Sequence, residues 1–106
     1  MNLLTASAPG YGPVLAVSVF SDIGPSRAYT GSVTGTGAVA AEIAIQVCNS
    51  PDDVAAGLWQ EQFRFTLSGT TSVLDLMATM AAWNFVRCQL ISISGTGAVA
   101  TCDIGY

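Results

Sequence analysis

The carboxylates are the first residues in this chain that could do chemistry. Asp52 and Asp53 are adjacent, whereas Glu42, Glu61, Asp75 and Asp103 are scattered on or beside apolar runs. Two carboxyl groups held about 5 to 9 Å apart could hydrolyse a glycosidic bond. Nothing in the spacing brings such a pair together, and solvated or turn-capping acids are the simpler reading. Serines and threonines abound, but there is no histidine to activate a hydroxyl and no lysine to replace it. Nucleophilic catalysis therefore lacks its base, and the chain is not expected to be an enzyme.

Metal and cofactor chemistry meet similar objections. Asn49, Asp52 and Asp53 could supply oxygen ligands to calcium, yet Pro51 stands beside the aspartates and no D-x-D-x-D pattern follows. Cys48, Cys88 and Cys102 are an odd number without C-x-x-C spacing, so a zinc site would need all three and a carboxylate. Reduced, half-buried strand cysteines in a reducing cytosol fit better. Cys88 and Cys102 flank the last Gly-Thr-Gly, and whether they form a disulfide is a matter of geometry. The Gly-Thr-Gly of residues 35–37 and 95–97 is not a dinucleotide fingerprint, which needs a third glycine between a strand and a helix. No metal, cofactor or small-molecule substrate is expected. Trp59 and Trp83 could be sugar-stacking platforms, but Trp59 precedes an alternating aromatic run and reads as core. Trp83, at the entrance to a strand, reads as a sheet-edge anchor or a subunit contact.

The elements that would position these residues are strands. Residues 13–20 form a short apolar run, followed by turn chemistry in Asp22-Ile-Gly-Pro-Ser26. Residues 28–34 lead into the first Gly-Thr-Gly. Beyond it Val39, Ala41, Ile43, Ile45 and Val47 alternate with Ala40, Glu42, Ala44, Gln46 and Cys48, a strand with one buried face. Residues 49–53 read as a loop and 54–58 as a helical turn. In 59–67, Trp59, Glu61, Phe63, Phe65 and Leu67 share one face, and Ser68-Gly-Thr-Thr71 reads as a turn. Residues 72–80 fit either a helix or a strand by period, and their surroundings favour a strand. Val86, Cys88 and Leu90 alternate with Phe85, Arg87, Gln89 and Ile91 in a further strand, and the second Gly-Thr-Gly turns it into a last strand over 98–104. Residues 1–13, with two prolines and two glycines, read as an extended arm. The fold class predicted is all-β: an antiparallel β-sandwich, jelly-roll-like, of six to seven or more short strands, forming one domain over 1–106.

Composition sets the class of partner. The chain has 106 residues and is 51% hydrophobic and 9% charged, against roughly 25% charged in an ordinary soluble domain. So little charge leaves apolar surface to be covered by other protein chains, because Glu42, Gln46, Asp75 and Arg87 interrupt any run of the about 20 apolar residues that a spanning helix needs. Seven acids against three arginines give a net charge of -4. That balance excludes nucleic acid as a main partner and makes a poor membrane-surface binder. The first residues lack the basic and apolar regions of a secretory signal.

The order of motifs is S-V-T-G-T-G-A-V-A, an I-A-I-Q-V strand ending in Cys48-Asn-Ser-Pro-Asp, a Trp, L-S-G-T, W-N-F-V-R and S-I-S-G-T-G-A-V-A. Over residues 29–104 it resembles a group of small tailed-bacteriophage virion proteins with the layout GTG, strand, S-N-D, W, strand, SGT, W-x-x-V-R, strand, S-x-S-G-T-G-A. Where their loop reads Ser-Asn-Asp-Gly this chain departs, and no detail of that loop transfers. The resemblance implies a capsid decoration or cement protein, or a module of a head or tail fibre, without an active site. Its partners would be the major capsid protein and copies of itself in a homo-oligomer, its location the capsid surface of the virion after folding in the host cytoplasm. A glycan- or receptor-binding fibre module is the alternative. Candidate interface residues are Leu3, Leu4 and Tyr11 on the arm, Trp83, and Arg87 on the strand after it.

Overall fold

The computed structural model describes residues 1–16, 27–79 and 83–105. Among these residues the first strands are short, β1 (Asn2–Ala6), β2 (Gly10–Tyr11) and β3 (Leu15–Ala16). Three long ones follow, β4 (Arg27–Cys48), β5 (Gln60–Thr79) and β6 (Phe85–Gly105), with one helix, α1 (Pro51–Ala56), between β4 and β5. All pairings are antiparallel. The sheet order is β1-β6-β4-β5, and β2 and β3 also pair with β6. The all-β class therefore holds. The long strands, at 22, 20 and 21 residues, replace the many short ones expected.

Both Gly-Thr-Gly copies lie inside long strands rather than at hairpin turns, which corrects the reading from sequence. The register of β4 shifts between Thr34 and Ala38 toward β5, and on either side of Thr36 toward β6. Thr36 pairs with Thr96, so the two copies run side by side in opposite directions. Gly69 and Thr70 of β5 pair with Val39 and Ala38 at the same level, so Ser68–Thr71 is also strand and not a turn. Gly37, Gly95 and Gly97 have φ of 72°, 126° and 64°. A β-bulge and a hairpin turn both need such positive-φ glycines between apolar strands. The local pattern is the same for both, and only the pairing separates them. The chain instead reverses through α1, where Ser50 caps the first turn, Pro51 occupies its start and Gly57 closes it at φ 71°. Helix thus begins earlier than the turn predicted over 54–58.

Aligned across three strands, these irregularities crease the sheet so that it folds on itself. Cys88 and Cys102, on one strand but on opposite sides of the crease, bring their sulfurs to 2.7 Å. A Cβ on Gly31 would lie 2.7 Å from the ring of Phe65, which belongs to the other half. The sandwich is therefore one sheet doubled over, and its shortest extent of 17 Å suits two layers. Inward alternation fills the space between with Val33, Ile43, Ile45, Phe65, Leu90 and Ile104, each at most 1% exposed.

The arm is a second correction. β1 pairs with residues 100–103 of β6, and a register shift between Asn2 and Leu4 lets two successive side chains turn inward. Leu3 and Leu4 are 1% and 6% exposed. They belong to the core and are not available as interface residues. Residues 72–79 are strand, paired with Arg27–Thr34. Of the apolar run 13–20 the described part holds β3, while Asp22–Ser26 and residues 80–82 lie outside the described residues. Among the described residues no helix is long and apolar enough to cross a membrane.

Candidate functional site

The outer face of the half formed by residues 38–48, 60–70 and 85–94 carries an arginine enclosed by aromatic rings. Val86 and Cys88 point inward with no exposure, so alternation sends Arg87 outward. Its cross-strand partner on β4 is Gln46. Arg87 Nε donates to Gln46 Oε1 at 2.7 Å, and Gln46 Nε2 donates to Gln89 Oε1 at 3.1 Å. Beyond β6 lies β2, where Tyr11 pairs with Gln89. The Arg87 guanidinium carbon is 4.2 Å from the Tyr11 ring centroid and 4.4 Å from that of Trp59.

Trp59 reaches this face because β5 carries one extra residue. Ile45 pairs with Phe63 but Gln46 pairs with Glu61, leaving Gln62 unpaired in a β-bulge. The bulge reverses the alternation below Phe63. Phe65 and Leu67 stay buried, while Glu61 is exposed and Trp59 is half-buried against Arg87. The assignment of Trp59 to the core is therefore corrected. A bulge adds one residue without changing composition, which is why the run 59–67 gave no sign of it.

The electrostatics single out Arg87. Of the two arginine side chains the structure describes, Arg64 is paired with Glu61 at 2.7 Å and Glu42 at 3.7 Å. Among the described residues no carboxylate lies within 4 Å of the Arg87 guanidinium, and its hydrogen bond is made by Nε. The buried side-chain polar atom left without a partner among the described residues is Gln62 Oε1. The Nη groups of Arg87 have no hydrogen-bond partner among the described residues and are not fully buried. Nearby Cys48 is buried, and burial raises its thiol pKa, Asp53 adding to the rise and Arg87 opposing it.

Of the five candidate interface residues, the structure brings Tyr11 and Arg87 together. Tyr11 is 58% exposed. Trp83 is half-buried and packs against the core, and Leu3 and Leu4 lie inside it. Trp59, Gln46 and Gln89 complete the site and were not singled out as interface residues. Elsewhere a cleft of about 290 Å³ lies beside the second Gly-Thr-Gly, lined by Ser7, Ile93, Ser94, Gly95, Gly97, Ala98 and Val99. It contains no acid. Glu42 and Glu61 flank Arg64, Asp103 accepts from Asn2 at 3.0 Å, and Asp75 accepts from the Leu76 amide at 2.8 Å.

No protein-family model matches the chain, and no curated protein is similar to it in sequence. Among solved structures, the crystal structure of the SPBc2 prophage-derived protein YomS is similar. The alignment covers 98% of this chain and 88% of that one, with a TM-score of 0.53 and 16% sequence identity. At that identity the likeness is one of fold.

Proposed function

We propose that this chain is a non-enzymatic structural protein of a tailed-bacteriophage virion, a decoration or cement protein that stabilises the head through contacts with the major capsid protein and with copies of itself. The observation that carries the reading is the fold shared with a prophage-derived protein over 98% of the chain. The surface supports it. With 9% charged residues, the protein leaves Leu58, Leu74 and Leu76 between 61% and 67% exposed, apolar area suited to burial against other subunits. The reading needs no cofactor, nucleic acid, membrane or small-molecule substrate.

The test is to purify intact virions of a phage encoding this chain and quantify it by mass spectrometry. Hundreds of copies per particle are expected for a head protein. A few copies would move it to a fibre or tail, and absence from virions would overturn the proposal. One observation favours a second reading, a glycan- or receptor-binding fibre module: Trp59 and Tyr11 stand on the outer face beside Gln46 and Gln89. Quenching of indole fluorescence by sugars would support it, and a flat response across a glycan panel would remove it.

A further inference from the structure

We propose that Arg87 is a preformed receptor for a carboxylate presented by the protein on which this chain docks, with Tyr11 and Trp59 as the walls of the receptor. The proposal rests on the reading of the chain as a docking protein and names the chemistry of the contact.

The geometry restricts what the guanidinium can accept. Two aromatic rings lie against it, Tyr11 at 4.2 Å and Trp59 at 4.4 Å. Its Nε is bound to Gln46, which is in turn bound to Gln89. What remains are the N–H groups of Nη1 and Nη2, which have no hydrogen-bond partner among the described residues, on a side chain restrained by Gln46 and the two rings. A planar fork of donors matches the two oxygens of a carboxylate. Ordering the arginine before contact removes part of the entropy that a free side chain would lose on binding. Among the described residues the charge also lacks a counterpart within 4 Å, although the chain has seven acids. Arg64 has two of them and Arg87 has none among the described residues.

The surroundings favour a protein over a glycan as the source of the carboxylate. Tyr11, Val14 and Leu58 are 58%, 44% and 65% exposed. Tyr11 lies on Arg87, Val14 precedes Leu15, whose partner is Val86, and Leu58 precedes Trp59. An arginine against two large aromatics, with exposed apolar residues adjoining them in the chain, has the make-up of a protein interface hot spot. A sugar would need several free hydrogen-bonding groups, and the two glutamines beside Arg87 already bind each other. Each ring also has one face on the guanidinium.

The test uses the whole isolated protein, labelled with nitrogen-15, and an N-acetylated, C-amidated tetraglutamate peptide as the probe. The Arg87 Nε–Hε and Trp59 indole signals are expected to shift together on titration, and the shift to weaken in high salt. The corresponding tetraglutamine peptide should leave both signals in place. Arg64→Gln should preserve the response. Arg87→Lys, which keeps the charge and loses the planar fork, should weaken the peptide about tenfold, and Arg87→Gln should abolish binding. If Arg87→Gln fails to give a folded amide spectrum, the lysine variant decides. No shift with tetraglutamate, or an equal shift in the lysine variant, overturns the proposal. So does a response confined to inorganic phosphate or to trigalacturonate. Because the titration involves no virion, its outcome is independent of the copy-number measurement: the chain can be absent from particles while the receptor stands, or present while the receptor falls.

Discussion

Two contacts between the halves of the doubled sheet depend on single residues. At Gly31 the Phe65 ring occupies the space a side chain would take, and Phe65 is itself fully buried. Gly31→Ala must push that ring into a filled core, and overpacking of this kind costs about 1–3 kcal/mol. A urea midpoint shifted down by that amount, with an unchanged slope, is the expected result. Cys88 and Cys102 form the other contact. The hydrogen bond between them raises the Cys88 pKa most, with burial adding to it; burial also raises that of Cys48. A thiol raised in the folded state stays protonated there while the unfolded chain loses its proton above about pH 8.5. The unfolded state then binds fewer protons, so stability falls as pH rises. Under reducing conditions, unfolding free energy should be flat from pH 6 to 8 and decline above pH 8.5, by up to about 1.4 kcal/mol per pH unit for each such thiol. Cys88→Ala should make that decline shallower, at the expense of some packing.

The crease is the element on which the architecture turns, and its backbone can be tested in both directions. Gly37 and Gly97 have φ of 72° and 64°, and a Cβ on either would touch nothing within 4 Å. Alanine there meets no neighbour, so its cost is conformational alone, about 1–2 kcal/mol at each site. Thr71 sits on the same crease with φ of 59°, where a β-branched residue is strained. Thr71→Gly should therefore stabilise the fold by about 1 kcal/mol, the opposite sign to Gly37→Ala. Thermal melts of the three variants would check this. The same element shows where the sequence was legible. The alternation in 39–47 and 85–90 named the correct buried face, because the register shifts beside 39–47 put the extra residue on the partner strands, Gln62 on β5 and Ile91 on β6. The glycines were visible as punctuation, but a crease and a hairpin demand the same residues. Trp59 was misplaced for a related reason: one bulged residue at Gln62 inverts every face beyond it. Leu3 and Leu4 look like part of an arm in the sequence because their partner strand lies at the far end of the chain, where no local pattern points to it. Of the candidate site, the sequence names Tyr11 and Arg87 singly, and the pairing of β2 and β4 with β6 brings them together.

On the scale of the whole molecule, β5 forms one edge of the sheet. It pairs with β4 on one side and with nothing on the other among the described residues. Leu74 and Leu76, 61% and 67% exposed, lie on this strand with Ser72 and Ala78 also exposed. Edge strands are ordinarily guarded by charge, proline or a short length. Here a 20-residue strand presents two leucines around a single aspartate, Asp75. A protein with so little charge has few other means of limiting association, so this edge is the natural place for copies to meet, as the proposed homo-oligomer requires. Leu74→Glu combined with Leu76→Glu places like charges on both partners of any contact between copies through this strand. The double variant should sediment as smaller species than the unaltered protein at the same concentration. Its melting temperature as a monomer should hardly move, since exposed substitutions away from special features change stability by about 0.5 kcal/mol or less. An unchanged sedimentation profile would show that copies meet through another face. A profile that is monomeric before and after the change would remove self-association from the proposed function, leaving the contact centred on Arg87 to carry attachment to the capsid alone.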